Sequence, residues 1–144
     1  CKREIMDWEP EVHSSIFGGN PLSCAAALAA LEVTVKENLL ENATKQGNYI
    51  MQRLKEMSSQ HELIGDVRGR GLMVGVELVK DRRTKTPAVT EARHIVINSF
   101  KRGVALRSSG STIMITPPLT ITRELADSGL NILDGVFKEL ESGL

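Results

Sequence analysis

Leu63-Ile-Gly-Asp-Val67-Arg-Gly-Arg-Gly71-Leu72-Met-Val-Gly-Val-Glu-Leu-Val79 is the stretch on which the fold turns. Leu72, Val74, Val76 and Leu78 alternate with Met73, Gly75, Glu77 and Val79, the period of a half-buried strand, and Leu63 to Val67 is a short β-like run before it. Gly69 and Gly71 mark the turn region between the two runs. The reading is a pair of neighbouring strands with Glu77 on the less buried face. Arg68 and Arg70 flank Gly69; their forked donors suit a carboxylate, and solvation or pairing to a local acid such as Asp66 is the commoner use of such arginines.

Outward from these strands the period becomes helical. Leu39, Ala43, Gln46 or Gly47, Ile50, Leu54 and Met57 fall on one stripe of a helix from about Leu39 to Met57, which reads as core packing, and Ser58-Ser59-Gln60 loosens into a loop. After the charged loop Lys80 to Lys85, Thr86-Pro87 is a plausible cap and first position for a helix reaching Arg102, with Val89, Ala92, Val96 and Ser99 or Phe100 inward and Gly103 ending it. His94 within that helix reads as surface or packing. Val104 to Arg107 and Thr112 to Ile115 are two further strands around Ser108-Ser109-Gly110, and Pro117-Pro118 closes the second. Thr122 caps a last helix whose apolar stripe is Leu125, Gly129, Ile132, Leu133, Val136, Phe137 and Leu140.

Towards the N-terminus, Asn20 has the side chain of a helix cap and Pro21 sits at the first helical position, so a helix runs from Pro21 to about Glu37. Alanines at 25, 26, 27, 29 and 30 leave it little bulk, so neighbours can approach closely. In the loop from His13, Gly18-Gly19 allows a tight turn beside the hydroxyls of Ser14 and Ser15, an arrangement suited to an anion such as phosphate. Cys1 to Glu11 is a charged lead-in, and the indole of Trp8 within it calls for cover. The order helix, helix, strand, strand, helix, strand, strand, helix predicts an α+β domain, a small, largely antiparallel sheet covered by helices.

Composition bounds the function. A chain of 144 residues buries roughly 70% of its unfolded surface, enough for a core. Eighteen basic and eighteen acidic residues cancel, which argues against nucleic acid and anionic membrane as partners. Two cysteines, Cys1 and Cys24, form neither a disulfide framework nor a metal motif. With no long apolar run and no signal-peptide pattern, the expectation is a soluble cytoplasmic protein. The chain begins with Cys rather than Met, as one cut from a longer chain or processed at its N-terminus would.

Phe17-Gly-Gly-Asn-Pro-Leu22, the following Cys24-Ala-Ala-Ala-Leu-Ala-Ala-Leu-Glu-Val33, Val67-Arg-Gly-Arg-Gly-Leu72 and Thr116-Pro-Pro-Leu-Thr-Ile-Thr122 resemble, in order and separation, motifs of class III aminotransferases, the ornithine, acetylornithine and 4-aminobutyrate aminotransferase-like enzymes. The resemblance implies the C-terminal portion of a pyridoxal phosphate enzyme: residues 1–20 as the end of the large cofactor-binding domain with its phosphate-side loop, 21–37 as a connecting helix and 38–144 as the C-terminal small domain of fold-type I. It implies an amino donor, a 2-oxo acid acceptor and a homodimer. The lysine that holds the cofactor lies upstream of Gly-Gly-Asn-Pro in the family, and only Lys2 precedes that motif here without the expected surroundings, so no catalytic residue is assigned and the chain alone is expected to be inactive.

The resemblance further implies that Ser15 and Ile16 lie against the cofactor phosphate, Ile16 standing where the family usually has a threonine. Its N–H and the Ser15 hydroxyl remain as donors. Met114 stands where members acting on amino acids carry an arginine for the substrate carboxylate, and Arg107 substitutes only if the strand pair brings it inward. A stand-alone α+β binding or dimerisation module, and a family member that has lost catalysis, are the alternative readings.

Overall fold

A computed structural model describes residues 2–9, 11–12 and 14–143. Cys1 and His13 lie outside the described residues, and with them the chain's first cysteine and the start of the anion-suited loop. The chain divides into two compact units, Cys1–Glu37 and Asn38–Leu144.

In the first unit, helix α1 spans Pro21–Lys36. It starts where the cap chemistry places it: Asn20 Oδ1 accepts from the N–H groups of Leu22 at 3.0 Å and Ser23 at 3.2 Å, and Pro21 takes the first position. No residue of α1 is buried, although Leu22, Leu28, Leu31 and Val35 are among its side chains.

The second unit runs α2 (Leu39–Ser58), β1 (Ile64–Arg70), β2 (Met73–Asp81), β3 (Thr86–Pro87), α3 (Val89–Lys101), β4 (Arg107–Ser109), β5 (Thr112–Ile115) and α4 (Arg123–Glu141). Every strand pairing is antiparallel, in the order β1-β2-β5-β4 with β3 beside β2. The α+β class and the small antiparallel sheet are as the sequence predicts. Val74, Val76 and Leu78 of β2 and Ile113 and Ile115 of β5 are buried with Ile50 and Leu54 of α2, Ile95 of α3, and Leu133 and Phe137 of α4 in one core. The predicted stripe of α2 is the observed one, with Leu39, Gln46, Gly47, Ile50, Leu54 and Met57 buried. Gly47 is required there, because a Cβ would lie 2.2 Å from the carbonyl oxygen of Gly71 in the β1–β2 turn.

Three local expectations are corrected. Thr86-Pro87 does not open α3; it forms β3, paired to β2 as Asp81↔Thr86 and Val79↔Pro87, and Ala88 occupies the cap. Proline is tolerated because the strand is short and at an edge, and the hairpin is closed by Asp81, which accepts from Lys85 N–H through its backbone and from Thr84 N–H through its side chain. The inner stripe of α3 is Ala92, Ile95 and Ser99, while Val89 and Phe100, each about 100° further round the helix from Ala88 and Ser99, are exposed. β4 starts at Arg107 rather than Val104, because the Val104 N–H is already bonded to Ser99 O at 2.9 Å, closing the end of α3 around Gly103 in its left-handed conformation (φ 90°).

In α4, Thr122 caps as expected, accepting from Leu125 N–H. Ala126 and Leu130 join Leu133, Val136 and Phe137 in the core, and Leu125 is exposed. Val79, expected opposite the core face, is buried where the β2–β3 register shifts.

Candidate functional site

Two places carry functional groups, one in each unit. The first is the loop before α1. Asn20 N–H donates to Phe17 O at 3.2 Å, closing a turn in which Gly19 takes φ 75°, a conformation suited to glycine. A Cβ on Gly18 would sit 3.3 Å from Ser15 Cβ and 3.5 Å from Ser15 Oγ, so the absent side chain leaves the Ser15 hydroxyl uncovered. Ser14 and Ser15 are exposed, and the Ile16 side chain is 97% exposed. Among the described residues the N–H groups of Ile16 and Phe17 meet no acceptor. The first-turn N–H groups of α1 are otherwise engaged: Asn20 holds those of Leu22 and Ser23. Ser15, Ile16 and the glycine turn therefore offer the donors that fit one side of a phosphate, by way of loop amides and a hydroxyl rather than the helix end.

The second place is the face of the sheet turned away from the core. Register aligns Arg68 with Gly75, Gly75 with Met114, and Met114 with Arg107. Directly opposed residues of an antiparallel ladder share a face, so these four form one row across β1, β2, β5 and β4. The next row contains Glu77 and Thr112, paired to each other, with Asp66 and Ser109 as their outer neighbours.

Arg68 is committed. Its guanidinium donates to Asp66 at 2.9 Å and Glu77 at 2.5 Å, and those hydrogen bonds, Asp66 first, raise its pKa. Pairing to Asp66 is the use expected from the sequence; the bond to Glu77 needs the hairpin register, which sequence spacing does not give. Arg107 is exposed and makes no ion pair among the described residues. The strand pair does bring it beside Met114. The sequence alone leaves this open, because it places Arg107 at the end of β4 rather than at its start.

Beneath this edge lies a cavity of about 550 Å³ between β4, β5 and α4. Its walls include Leu106, Met114, Ile115, Ile121, Leu130 and Leu133, with Arg102 and Arg107 at the polar part of the lining. Arg102 is tied to Glu139 on α4. His94 is exposed on α3, and among the described residues no group of His, Cys, Asp and Glu is arranged to hold a metal. No helix is long and apolar enough to cross a membrane among those residues.

The chain thus combines a small antiparallel sheet backed by helices with a glycine turn before an alanine-rich helix. The chain belongs to the class-III aminotransferases, whose family model matches residues 1–137. It is 44% identical over 144 residues to a leucine/methionine racemase of Thermococcus litoralis, covering 99% of this chain and 32% of that protein. To an acetylornithine aminotransferase of Caldanaerobacter subterraneus it is 36% identical over 141 residues, 97% of this chain and 34% of the relative. Among solved structures, an amine transaminase from an uncultivated Pseudomonas species superimposes with a TM-score of 0.84 at 34% identity, covering 90% of this chain and 30% of that one. The chain thus spans about a third of the length of these proteins.

Proposed function

We propose that the chain is the C-terminal part of a pyridoxal phosphate-dependent aminotransferase that moves an amino group from an amino acid or an ω-amino acid to a 2-oxo acid. The match to class-III aminotransferases over residues 1–137 carries this reading, since it runs through all the quoted motifs in one chain. In it, residues 1–20 end the large cofactor-binding domain, 21–37 form the connecting helix and 38–144 the small domain of a cytoplasmic homodimer.

When bound, pyridoxal phosphate supplies the electron-withdrawing ring that makes a substrate C–H acidic. The part of this chain is to bind and orient. The Ser15 hydroxyl and the Ile16 N–H donate to phosphate oxygens, and Gly18 and Gly19 shape the backbone that presents them. Ile16 lacks the hydroxyl that a threonine would add, so the phosphate is held on this side by one side-chain donor and the loop amides. No lysine of the chain is assigned to the cofactor, and the chain by itself performs no transfer.

The test mixes the chain with pyridoxal phosphate and follows both the cofactor absorbance and amino transfer. The expected result is neither a stable cofactor band nor turnover; turnover by these 144 residues alone overturns the proposed inactivity. Expression with the reading frame upstream of Cys1 is expected to give transfer from at least one amino or ω-amino acid to a 2-oxo acid, and failure across such a panel overturns the transferase reading.

The 44% identity to a racemase favours a second reading on the same scaffold, inversion at the α-carbon of an amino acid. Chiral chromatography separates the two: a racemase forms the D-isomer without consuming 2-oxo acid.

A further inference from the structure

We propose that the cavity between α4 and the β4–β5 edge binds a small aromatic molecule whose ring rests on the bare helix surface at Gly129. The assignment stands on α4 and not on the loop before α1, so it is independent of the transferase reading.

Helix interiors disfavour glycine, which loses more backbone freedom than alanine and has no side chain to pack. A helical glycine is therefore expected where a neighbour leaves no room for a side chain. Gly47 of α2 is such a case, with the Gly71 carbonyl against it. Gly135, farther along α4, also has a neighbour, since a Cβ there would lie 3.6 Å from Arg102 Nη1. At Gly129 a Cβ would meet no atom within 4 Å among the described residues, and its backbone is helical rather than left-handed. Neither a contact nor a conformation within the chain calls for glycine at this position. The space beside it is the cavity, which Gly129 lines.

The walls indicate what fills that space. Leu106, Ile115, Leu130 and Leu133 are apolar, and Leu125, one helical turn before Gly129, lines the same cavity while 64% exposed, an apolar side chain left uncovered. No acidic side chain among the described residues lines it, and the charge of Arg102 is answered by Glu139. Met114 and Arg107, opposed across β5 and β4, complete the lining. A thioether and a guanidinium each attract an aromatic ring more than an aliphatic one. The helix surface at Gly129, without a Cβ, admits such a ring face-on. The cavity of about 550 Å³ falls within the range of small-ligand clefts, from about 300 to 1,000 Å³, which suits a free molecule.

The test uses the whole chain with ¹³C-labelled methionine methyl groups, the Met114 signal being identified by its loss in Met114→Leu. Benzyl alcohol and, separately, indole are expected to move this signal saturably, while that of Met51, which lines a separate groove beside α2, stays in place. Cyclohexylmethanol, of similar size but without the π-system, is expected to bind at least about threefold more weakly than benzyl alcohol. Gly129→Leu fills the space and is expected to weaken benzyl alcohol at least about tenfold. Leu125→Ser, at an exposed position, is expected to weaken it about threefold or more. Gly129→Ala is expected to raise the urea midpoint at unchanged slope.

An unmoved Met114 signal overturns the proposal, as does equal movement of Met51, which marks general partition into apolar surface. Cyclohexylmethanol binding as tightly as benzyl alcohol removes the aromatic class. Gly129→Leu titrating like the parent chain overturns the site, with far-ultraviolet dichroism showing that folded chains are compared; if that variant does not fold, Leu125→Ser titrating like the parent decides in the same sense. A lowered urea midpoint in Gly129→Ala shows that the chain's own packing needs the glycine, and the premise fails. Tighter binding of the peptide acetyl-Ala-Trp-Ala-amide than of indole assigns the ring to a partner protein's side chain and overturns the small-molecule reading.

Discussion

His61 is held from two sides. Its Nδ1 lies 2.6 Å from Glu141 Oε2 and its Nε2 2.9 Å from Asp134 Oδ1, with the ring 5.1 Å from that of Phe137 and 2% exposed. Both acids belong to α4, whereas the histidine follows α2, so one ring ties the end of α2 to the end of α4. Leu63 N–H also donates to Glu141, and Arg82 donates to the His61 carbonyl, which fixes the backbone on either side. His61→Leu removes two charge-assisted hydrogen bonds and is expected to cost about 3 kcal/mol, read as a lower urea midpoint at unchanged slope.

Asp134 gives the same cluster a pH dependence. Burial raises its carboxyl pKa, but hydrogen bonds from His61 and Lys138 outweigh that and hold it below the usual carboxylate range. A carboxyl depressed in the folded state contributes stability above its unfolded pKa of about 3.9, and the contribution is lost as pH falls through the lower folded value. The stability gap between the parent chain and Asp134→Asn is therefore expected to be full at pH 7 and to shrink below about pH 4. Urea titrations at several pH values check this; a gap that widens on acidification contradicts the assignment.

Among elements, α2 and α4 are also joined across their exposed flanks. Tyr49 Oη donates to Asp127, Arg53 donates to both Tyr49 Oη and Asp127 Oδ1 at 2.9 Å, and the Arg123 guanidinium lies 3.6 Å over the Tyr49 ring. Because Arg53 binds both members of the pair, losses are not additive. Tyr49→Phe is expected to cost about 1 kcal/mol, and the cycle with Asp127→Asn to show a coupling of about 0.5 kcal/mol or more. Additive single losses would show that the three groups act independently.

The contrast between these helices and the strands shows what the sequence carries. The α2 stripe was legible because a helix face repeats every three or four residues whatever it packs against. The same is true of the β2 alternation. β3 and the start of β4 depend instead on where two backbone N–H groups go: Ala88 N–H bonds to Leu78 O and Val104 N–H to Ser99 O. No side-chain pattern records those choices. His61 escaped for a similar reason, since its acids lie 73 and 80 residues away in the chain. At the candidate site, Met114 and Arg107 could each be singled out by type, whereas their pairing required the ladder register.

At the scale of the molecule, the two units differ in how they are stabilised. The core of the second unit is built from residues Ile50 to Phe137, with Leu39 the first buried residue among those described. In the first unit, α1 is rich in apolar side chains, broken by the exposed Glu32–Lys36 ion pair near its end, and buries none of them. A helix of sixteen residues without tertiary packing is marginal in water even when rich in alanine. Two transitions follow from this difference. On heating, dichroism at 222 nm is expected to decline gradually from low temperature as α1 melts, before a cooperative step for the second unit. Removing residues 1–37 should abolish the gradual part and leave the urea midpoint of the step unchanged within about 0.5 kcal/mol of stability, since no core side chain is lost. If the shortened chain instead unfolds at a markedly lower midpoint, the first unit contributes to the second unit's stability despite burying nothing, and the division into independent units fails.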